Sequence, residues 1–171
     1  RDAFLSGVSV GAPPDAFFTK GQCWGFPGLH PVRIREQCYR YVRAFLRHHL
    51  SAAGVLRIDH VMWLHRLFCI PHGMEARDGV YIRYPAEELY AMLSLESHRS
   101  RSLLLGEDLG TVPEVVRTTM GEHHVHRMYV AQFEVRPDPQ GAVGAVPSSS
   151  VASVNTHDTP LFAAFWQGLD I

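Results

Sequence analysis

The sequence has few cysteines and no long apolar run. Its three cysteines, Cys23, Cys38 and Cys69, are an odd number and show no CxxC spacing. A disulfide framework needs an even and denser set, so a reducing, cytoplasmic setting is the simpler interpretation. No apolar run reaches the ~18 residues that suggest a membrane span, so we expect no membrane partner.

The sequence also lacks a strong excess of charge of one sign. Its formal net charge of −1 gives no general attraction to nucleic acid, which we therefore do not expect as a partner. Hydrophobic residues make up 46% and charged residues 19%, which is typical of a protein that forms a core. A chain of 171 residues is enough for one compact domain, so we expect a single domain over residues 1–171.

Turn-forming residues dominate the N-terminal segment, and helical patterns follow it. The first 32 residues are rich in Gly, Pro and aromatics, which predicts an ordered loop. Residues 32–53 place apolar side chains on one face and arginines on the other, which predicts one helix that Gly54 ends.

Short apolar runs then alternate with further helical segments. We predict a helix over residues 85–97 and another with a capped start at Thr111. Strands alternating with helices favour βαβ units, hence an α/β fold with a parallel sheet. The predicted strands are residues 55–58, 103–105, 128–133 and 151–154.

Acidic residues stand just past the ends of these predicted strands. Asp59, Glu107 and Asp158 follow the first, second and fourth of them. The carboxyl-terminal edge of a parallel sheet is where active sites of α/β proteins are built. One such acid is most often a helix cap or a surface charge, and spacing alone leaves that alternative open.

Retaining glycoside cleavage is a reaction that suits this set of carboxylates. It needs an ionised nucleophile and a second carboxyl group, held protonated, about 5–5.5 Å away. Arg57 lies two residues before Asp59, on the same side of a strand, and its charge favours an ionised nucleophile. Glu107 follows an apolar stretch, which raises the pKa of a carboxyl group toward that of an acid/base. Asp158, His157 and His60 then offer hydrogen bonds to the sugar.

A zinc site and a binding module are two alternatives to this interpretation. The histidines of HHVH (residues 123–126), with His48 and His49, are candidate zinc ligands, but HExxH spacing is lacking and solvated or helix-end histidines fit better. A binding module would show aromatics without an acid and nucleophile pair. The sequence also has no glycine-rich nucleotide loop. We therefore expect neither a metal nor a cofactor.

Several motifs, in order along the chain, resemble those of a single enzyme family. The segment GAPPDAFFTKGQCWGFP resembles the family's GxPPDxFxxxGQxWGxP loop, and LRIDHVM resembles the region of its nucleophile. LLGEDLGTVP resembles the acid/base motif and NTHDTP the region of the third carboxylate. YIRYPAEEL and LESHRS match the helical region between the nucleophile and the acid/base. The family that these motifs resemble is glycoside hydrolase family 77, the amylomaltases or disproportionating enzymes.

The resemblance implies a role for each matching residue. It makes Asp59 the nucleophile, Glu107 the general acid/base and Asp158 the stabiliser of the transition state. Arg57, His60 and His157 would line the subsite of the transferred glucosyl unit, and Asp15, Gln22 and Trp24 belong to the loop near the acceptor. An indole face stacks well on a sugar, although plain loop packing is the alternative for Trp24.

The resemblance also implies an activity and an architecture. The activity is that of a retaining 4-α-glucanotransferase acting on malto-oligosaccharides and α-1,4-glucans, with a retaining α-glucan hydrolase of the α-amylase group as the alternative. The architecture is a portion of a (β/α)₈ TIM barrel, from the loop after strand 3 through strand 7. Such a barrel typically needs about 250 residues, so we expect an incomplete barrel with little activity by itself. Trp63 and Cys69 depart from the family's pattern.

Overall fold

The computed structural model describes residues 2–16, 18–138 and 140–169. The chain divides into two units. The first comprises the N-terminal stretch through Leu56 together with Val61–Ser102, and the second comprises Arg57–His60 together with the chain from Leu103 onward.

Strands and helices alternate along both units. The strands are β1 (Val8–Ala12), β2 (Gln22–Cys23), β3 (Val55–Ile58), β4 (Arg66–Pro71), β5 (Val80–Arg83), β6 (Leu103–Gly106), β7 (His126–Val130) and β8 (Ser150–Ser153). The α-helices are α1 (Pro31–Glu36), α2 (Arg40–Leu50), α3 (Ala86–Ser100), α4 (Glu114–Glu122), α5 (Ala131–Glu134) and α6 (Phe162–Gln167). Short 3₁₀ helices span Val61–Leu64 and Ala76–Asp78.

The first unit contains an antiparallel sheet that the sequence did not predict. Its strand order is β2-β1-β4-β5, with antiparallel pairing throughout. The prediction of a loop over the first 32 residues is therefore wrong for β1 and β2. Glycine permits this pairing, because a Cβ at Gly11 would lie 2.0 Å from the carbonyl oxygen of Gln22.

The single helix predicted over residues 32–53 is also wrong, because the chain turns between α1 and α2. Cys38 and Tyr39 adopt positive φ angles of 49° and 55°, which a continuing helix does not allow. Tyr39 is buried and donates its hydroxyl hydrogen bond to Glu88. This tertiary contact stabilises the turn, which apolar periodicity cannot reveal.

Helices α2 and α3 pack against each other in the first unit. Leu46 and Leu89 are fully buried, and burying a leucine side chain stabilises a fold by about 1.5–3 kcal/mol. The predicted helix over residues 85–97 is confirmed as α3. None of the helices in the described ranges is long and apolar enough to cross a membrane.

The second sheet has the order β3-β6-β7-β8, with parallel pairing of β6 with β7 and of β7 with β8. The predicted α/β fold with a parallel sheet is thus confirmed. The strand predicted at residues 55–58 is β3, and the one predicted at 103–105 is β6 with one more residue.

Two predicted boundaries in the second unit are wrong. Helix α4 begins at Glu114 and not at Thr111, because a residue before proline, here Val112, disfavours helical geometry. The apolar run at 128–133 divides into β7, which ends at Val130, and α5, which begins at Ala131. Apolar runs of this length do not distinguish a strand from a helix.

Trp63 and Cys69, the two departures from the family's pattern, both pack against neighbouring residues or are buried. Trp63 lies in the Val61–Leu64 helix and meets Tyr84 edge to face, with ring centroids 6.5 Å apart. Cys69 lies in β4 and is buried, and this burial raises the pKa of its thiol. Both residues act as packing residues in the first unit.

Candidate active site

Asp59 and Glu107 follow two neighbouring strands of the second sheet. Asp59 comes directly after β3 and Glu107 directly after β6. The amide N–H of Glu107 donates to the carbonyl of Ile58 at 2.8 Å, which fixes the backbones of the two acidic residues side by side. The sequence predicted this meeting from the strand ends alone.

Arg57 forms an ion pair with Asp59. The Nη2 atom of Arg57 lies 2.6 Å from Oδ1 of Asp59, in the geometry expected for side chains two residues apart in a strand. The Asp59 side chain is 76% exposed, so solvent and ligands reach it. The pair places a fixed positive charge beside an accessible carboxylate.

Two backbone amides hold the carboxyl group of Glu107. Its Oε2 accepts from the N–H of His60 and its Oε1 from the N–H of Leu109, both at 2.8 Å. Burial raises the pKa of Glu107, these two hydrogen bonds lower it, and the charge of Asp59 raises it further. The net direction is upward, as the apolar LLLGE stretch predicts.

His60 supplies its hydrogen bond to Glu107 from an unusual backbone conformation. Its φ angle is 44°, in the left-handed region that costs a residue with a Cβ about 1–2 kcal/mol. Burial lowers the pKa of its imidazole, which favours the neutral ring, although the charge of Asp59 opposes this. Backbone strain of this kind clusters at functional sites.

The third predicted carboxylate lies on the turn after β8. The amide N–H of Asp158 donates to Oγ1 of Thr156 at 3.3 Å, and its Oδ2 lies 3.2 Å from Nε2 of His157. Both side chains are exposed. These contacts stay within one turn, so the approach of Asp158 to Asp59 and Glu107 stays a prediction.

The residues predicted near the acceptor belong to the first unit. Nε1 of Trp24 donates to Oε1 of Gln22 at 2.9 Å, and its ring stacks on Phe26 with centroids 6.1 Å apart. Oδ1 of Asp15 accepts from the amide N–H of Phe18 at 2.6 Å. These contacts order the loop, and they suit both alternatives that the sequence left open for Trp24.

Asp108 is a residue that sequence reasoning did not single out. Its side chain is only 1% exposed and lies 2.7 Å from Nε of Arg127 and 3.5 Å from Nε of Arg117. The amide N–H of Met128 also donates to it at 3.1 Å. No spacing or periodicity in the sequence marks this burial, because its partners come from β7 and α4.

The histidine-rich segment lies at the end of α4. His123 is the C-cap residue of α4, and His124 is exposed with a φ angle of 55°. His126, in contrast, begins β7 and is half-buried, so the helix-end interpretation is wrong for it. Within the described part of the chain, no group of three or more His, Cys, Asp or Glu side chains is placed to hold a metal ion.

Comparison with known proteins agrees with this geometry. The family model for glycoside hydrolase family 77, described as 4-alpha-glucanotransferase, matches residues 1–170. The 4-alpha-glucanotransferase of Haemophilus influenzae is 38% identical over 99% of this chain and 24% of that protein. That of Mycobacterium bovis is 37% identical over 98% of this chain and 24% of its own length.

Solved structures give the same family. Amylomaltase from Corynebacterium glutamicum superposes with a TM-score of 0.90 at 34% identity, over 98% of this chain and 24% of that one. Amylomaltase from Streptococcus agalactiae, in complex with acarbose, has a TM-score of 0.81 at 21% identity, over 95% and 33% of the two chains, and shows a shared fold. The chain thus spans about a quarter of the length of the curated relatives named above. It belongs to glycoside hydrolase family 77, the 4-alpha-glucanotransferase family.

Proposed function

We propose that, as a member of this family, the chain carries the reacting carboxylates of a 4-α-glucanotransferase. The enzyme would transfer segments of α-1,4-glucans or malto-oligosaccharides to glucose or glucan acceptors. One observation carries the proposal: the half-buried Glu107, whose pKa is raised by desolvation, lies beside the ion-paired Asp59 at neighbouring strand ends. The two carboxyl groups thus differ in environment, as an acid and a nucleophile must.

The first half of the proposed reaction breaks the donor's glycosidic bond. Protonated Glu107 gives its proton to the glycosidic oxygen while a carboxylate oxygen of Asp59 attacks the anomeric carbon. The shortened donor leaves as an alcohol, and the remaining glucosyl unit is held covalently on Asp59. The exposed Asp59 side chain leaves room for this attack.

The second half forms a new bond to the acceptor. Glu107, now ionised, takes the proton of the acceptor's 4-hydroxyl group, whose oxygen attacks the anomeric carbon and releases Asp59. Transfer requires an acceptor that excludes water, and we assign Asp15, Gln22 and Trp24 to its binding. The relatives reported above are named as transferases, so we do not propose the hydrolase alternative.

The remaining predicted residues would bind the transferred glucosyl unit. We assign Arg57, His60 and His157 to its subsite and Asp158 to stabilising the positive charge that develops in the transition state. The neutral imidazole that burial favours by lowering the pKa of His60 suits hydrogen bonding to a sugar hydroxyl. For His157 and Asp158, the support is their place on the turn after β8.

The architecture we propose is a portion of a (β/α)₈ barrel, from the loop after strand 3 through strand 7. The parallel pairing of β6, β7 and β8 and the likeness to amylomaltase support this assignment. We treat residues 1–171 as one partial catalytic domain. A cytoplasmic setting, no cofactor, and no nucleic-acid or membrane partner stay predictions from composition and cysteine number.

A product profile tests the proposed function. The intact protein is incubated with maltotriose alone, and the products are followed by mass. We expect glucose together with malto-oligosaccharides longer than three units, because each glucosyl–enzyme intermediate is opened by another sugar. Asp59→Asn should abolish both, since it removes the nucleophile.

A matched aspartate provides the control. Asp78→Asn changes an exposed aspartate in the first unit, whose Oδ2 accepts from the amide N–H of Glu75 at 3.1 Å, and should leave the profile unchanged. Shorter sugars alone would identify a hydrolase and refute transfer. Longer products that persist in Asp59→Asn would refute Asp59 as the nucleophile.

A further inference from the structure

Asp108 directly follows the proposed acid/base and is among the few buried carboxylates of the described chain. Its side chain is 1% exposed, whereas those of its partners Arg127 and Arg117 are 40% and 33% exposed. Substrate cannot touch such a carboxylate, so Asp108 has no direct part in the chemistry. Its effect must pass through its neighbours.

Burying a carboxylate beside arginines contributes little net stability. The cost of removing charges from water offsets most of their attraction. A buried ion pair therefore fixes the positions of its groups more reliably than it raises the free energy of unfolding. The partners of Asp108 lie on two elements, since Arg127 and Met128 belong to β7 and Arg117 to α4. Asp108 therefore ties the turn after β6 to both elements.

This turn is the one that holds the carboxyl group of Glu107. Asp108 lies between Glu107 and Leu109, whose amide N–H donates to Oε1 of Glu107 at 2.8 Å. Fixing the Asp108 side chain fixes the backbone on both sides of it. The direction of the Glu107 carboxyl group and one of its two described amide donors thus depend on the same buried anchor.

We propose that Asp108 is a positioning residue, which through Arg127 and Met128 holds Glu107 in line with the glycosidic oxygen for proton transfer. The inference rests on the proposed function. Without the anchor the turn relaxes, and the Glu107 carboxyl group leaves the place from which it protonates the leaving group. A misplacement of about 1 Å is enough to cost about 10²-fold in rate.

Two donors with different leaving groups separate positioning from a general structural role. Cleavage of maltotriose releases a shorter sugar, whose leaving oxygen needs a proton from Glu107. Cleavage of α-maltotriosyl fluoride releases fluoride, which departs without one. The intact protein is assayed with each donor for kcat/KM, which reports the formation of the glucosyl–enzyme intermediate. We expect Asp108→Asn to lower kcat/KM about 10²-fold on maltotriose and about tenfold less severely on the fluoride.

Two glutamate variants calibrate the test. Glu107→Gln should show the same dependence on the leaving group, because it removes the proton itself. Glu96→Gln is the matched control, since Glu96 is another buried carboxylate with two arginine partners, Arg47 and Arg99. Any loss in Glu96→Gln should be the same for both donors.

A milder variant keeps the test decisive if Asp108→Asn fails to fold. Arg127→Lys keeps the positive charge but loses the Nε donor that lies 2.7 Å from Oδ2 of Asp108. We expect a smaller loss than in Asp108→Asn, again concentrated on maltotriose. Thermal unfolding followed by circular dichroism establishes which variants are folded.

The outcomes separate this inference from the function on which it rests. If the wild type turns over both donors and the folded variants lose the same factor on each, Asp108 has only a structural role and the inference is wrong. If the wild type forms a glucosyl–enzyme intermediate from neither donor, the proposed function is wrong and the inference with it. A loss of kcat/KM that is greater on maltotriose than on the fluoride supports both.

Discussion

Glu96 is buried and Glu107 is half-buried, and their surroundings shift the pKa values of the two carboxyl groups in opposite directions. Glu96, on α3, accepts two hydrogen bonds from Arg47 at 2.8 Å and lies 3.2 Å from Arg99. Glu107, after β6, accepts two hydrogen bonds from backbone amides. The hydrogen bonds from Arg47 lower the pKa of Glu96, whereas burial raises the pKa of Glu107.

Burial alone therefore does not give a carboxyl group the raised pKa of an acid/base. Counter-charge decides the direction of the pKa shift, because nearby cations favour the ionised carboxylate and apolar surroundings favour the protonated form. Glu96 connects two helices of the first unit through its arginines, and a fixed negative charge serves that purpose. Glu107 has Arg57 in range, but its charge is a smaller influence than burial.

The largest expected effect comes from neutralising each glutamate in turn. Glu107→Gln should lower turnover of maltotriose by about 10²–10⁴-fold, because it removes the proposed general acid/base. Glu96→Gln should keep turnover close to that of the wild type and lower the melting temperature, because Arg47 and Arg99 lose a buried charged partner. Product assays and thermal unfolding of both variants measure the two effects.

The comparison predicts that each variant affects one property and spares the other. Glu107→Gln should not lower the melting temperature, since its carboxyl group is desolvated without adequate counter-charge. A Glu96→Gln protein that stays folded but loses turnover would contradict the assignment of Glu96 to stability and Glu107 to turnover. So would a Glu107→Gln protein that keeps turnover.

A smaller effect should follow from the backbone of His60. Because Glu107 depends on the amide of a residue at φ 44°, a β-branched side chain there is strained, whereas asparagine tolerates this region. His60→Val should unfold at lower denaturant concentration than His60→Asn, by about 1–2 kcal/mol in the free energy of unfolding. Both variants lose the imidazole, so each is the other's control.

Turnover of maltotriose provides a second comparison of His60→Val with His60→Asn. We expect His60→Asn to keep more turnover of maltotriose than His60→Val, since it keeps the amide directed at Glu107. Equal stability and equal turnover in the two variants would show that the backbone conformation at this position does not matter.

The smallest expected effect is the pH dependence of stability, and its sign differs between the two glutamates. The folded pKa of Glu107 lies above its ordinary value of 4.5, so the wild type should match Glu107→Gln below pH 4.5 and lose stability relative to it as pH rises through the folded pKa. The folded pKa of Glu96 lies below 4.5, so the advantage of the wild type over Glu96→Gln should exist above pH 4.5 and disappear as pH falls through the folded pKa.

Melting temperatures of the three proteins across this pH range check the prediction. The two differences from the wild type should run in opposite directions as pH rises. Parallel curves would mean that the surroundings of the two carboxyl groups do not differ in the way that their contacts indicate.

Local patterns predicted the parts of the site that depend on neighbouring residues. Arg57 lies in β3 and Asp59 comes directly after this strand, so the alternation of side chains along a strand brings the two together. The apolar stretch before Glu107 indicated that its pKa is raised. The order of strands and helices predicted a parallel sheet whose edge brings Asp59 and Glu107 together.

Local patterns failed where a distant residue decides the structure. The break between α1 and α2 depends on the contact of Tyr39 with Glu88, and the strand β1 depends on pairing with β4. The burial of Asp108 depends on Arg127, which lies 19 residues further along the chain. In each case the interacting residues are far apart in sequence, at a spacing that the periodicity of a helix or a strand does not predict.

From the sequence we predicted the family, the candidate carboxylates and the ion pair at Asp59. The sequence by itself was enough for this because motif order and strand-end positions are local properties of the chain. The tertiary structure alone decided which amides hold Glu107, that His60 adopts a positive φ angle, and that Asp108 is buried. These follow from contacts between β3, β6 and β7, since only a folded sheet sets the distances at which charges and amides act.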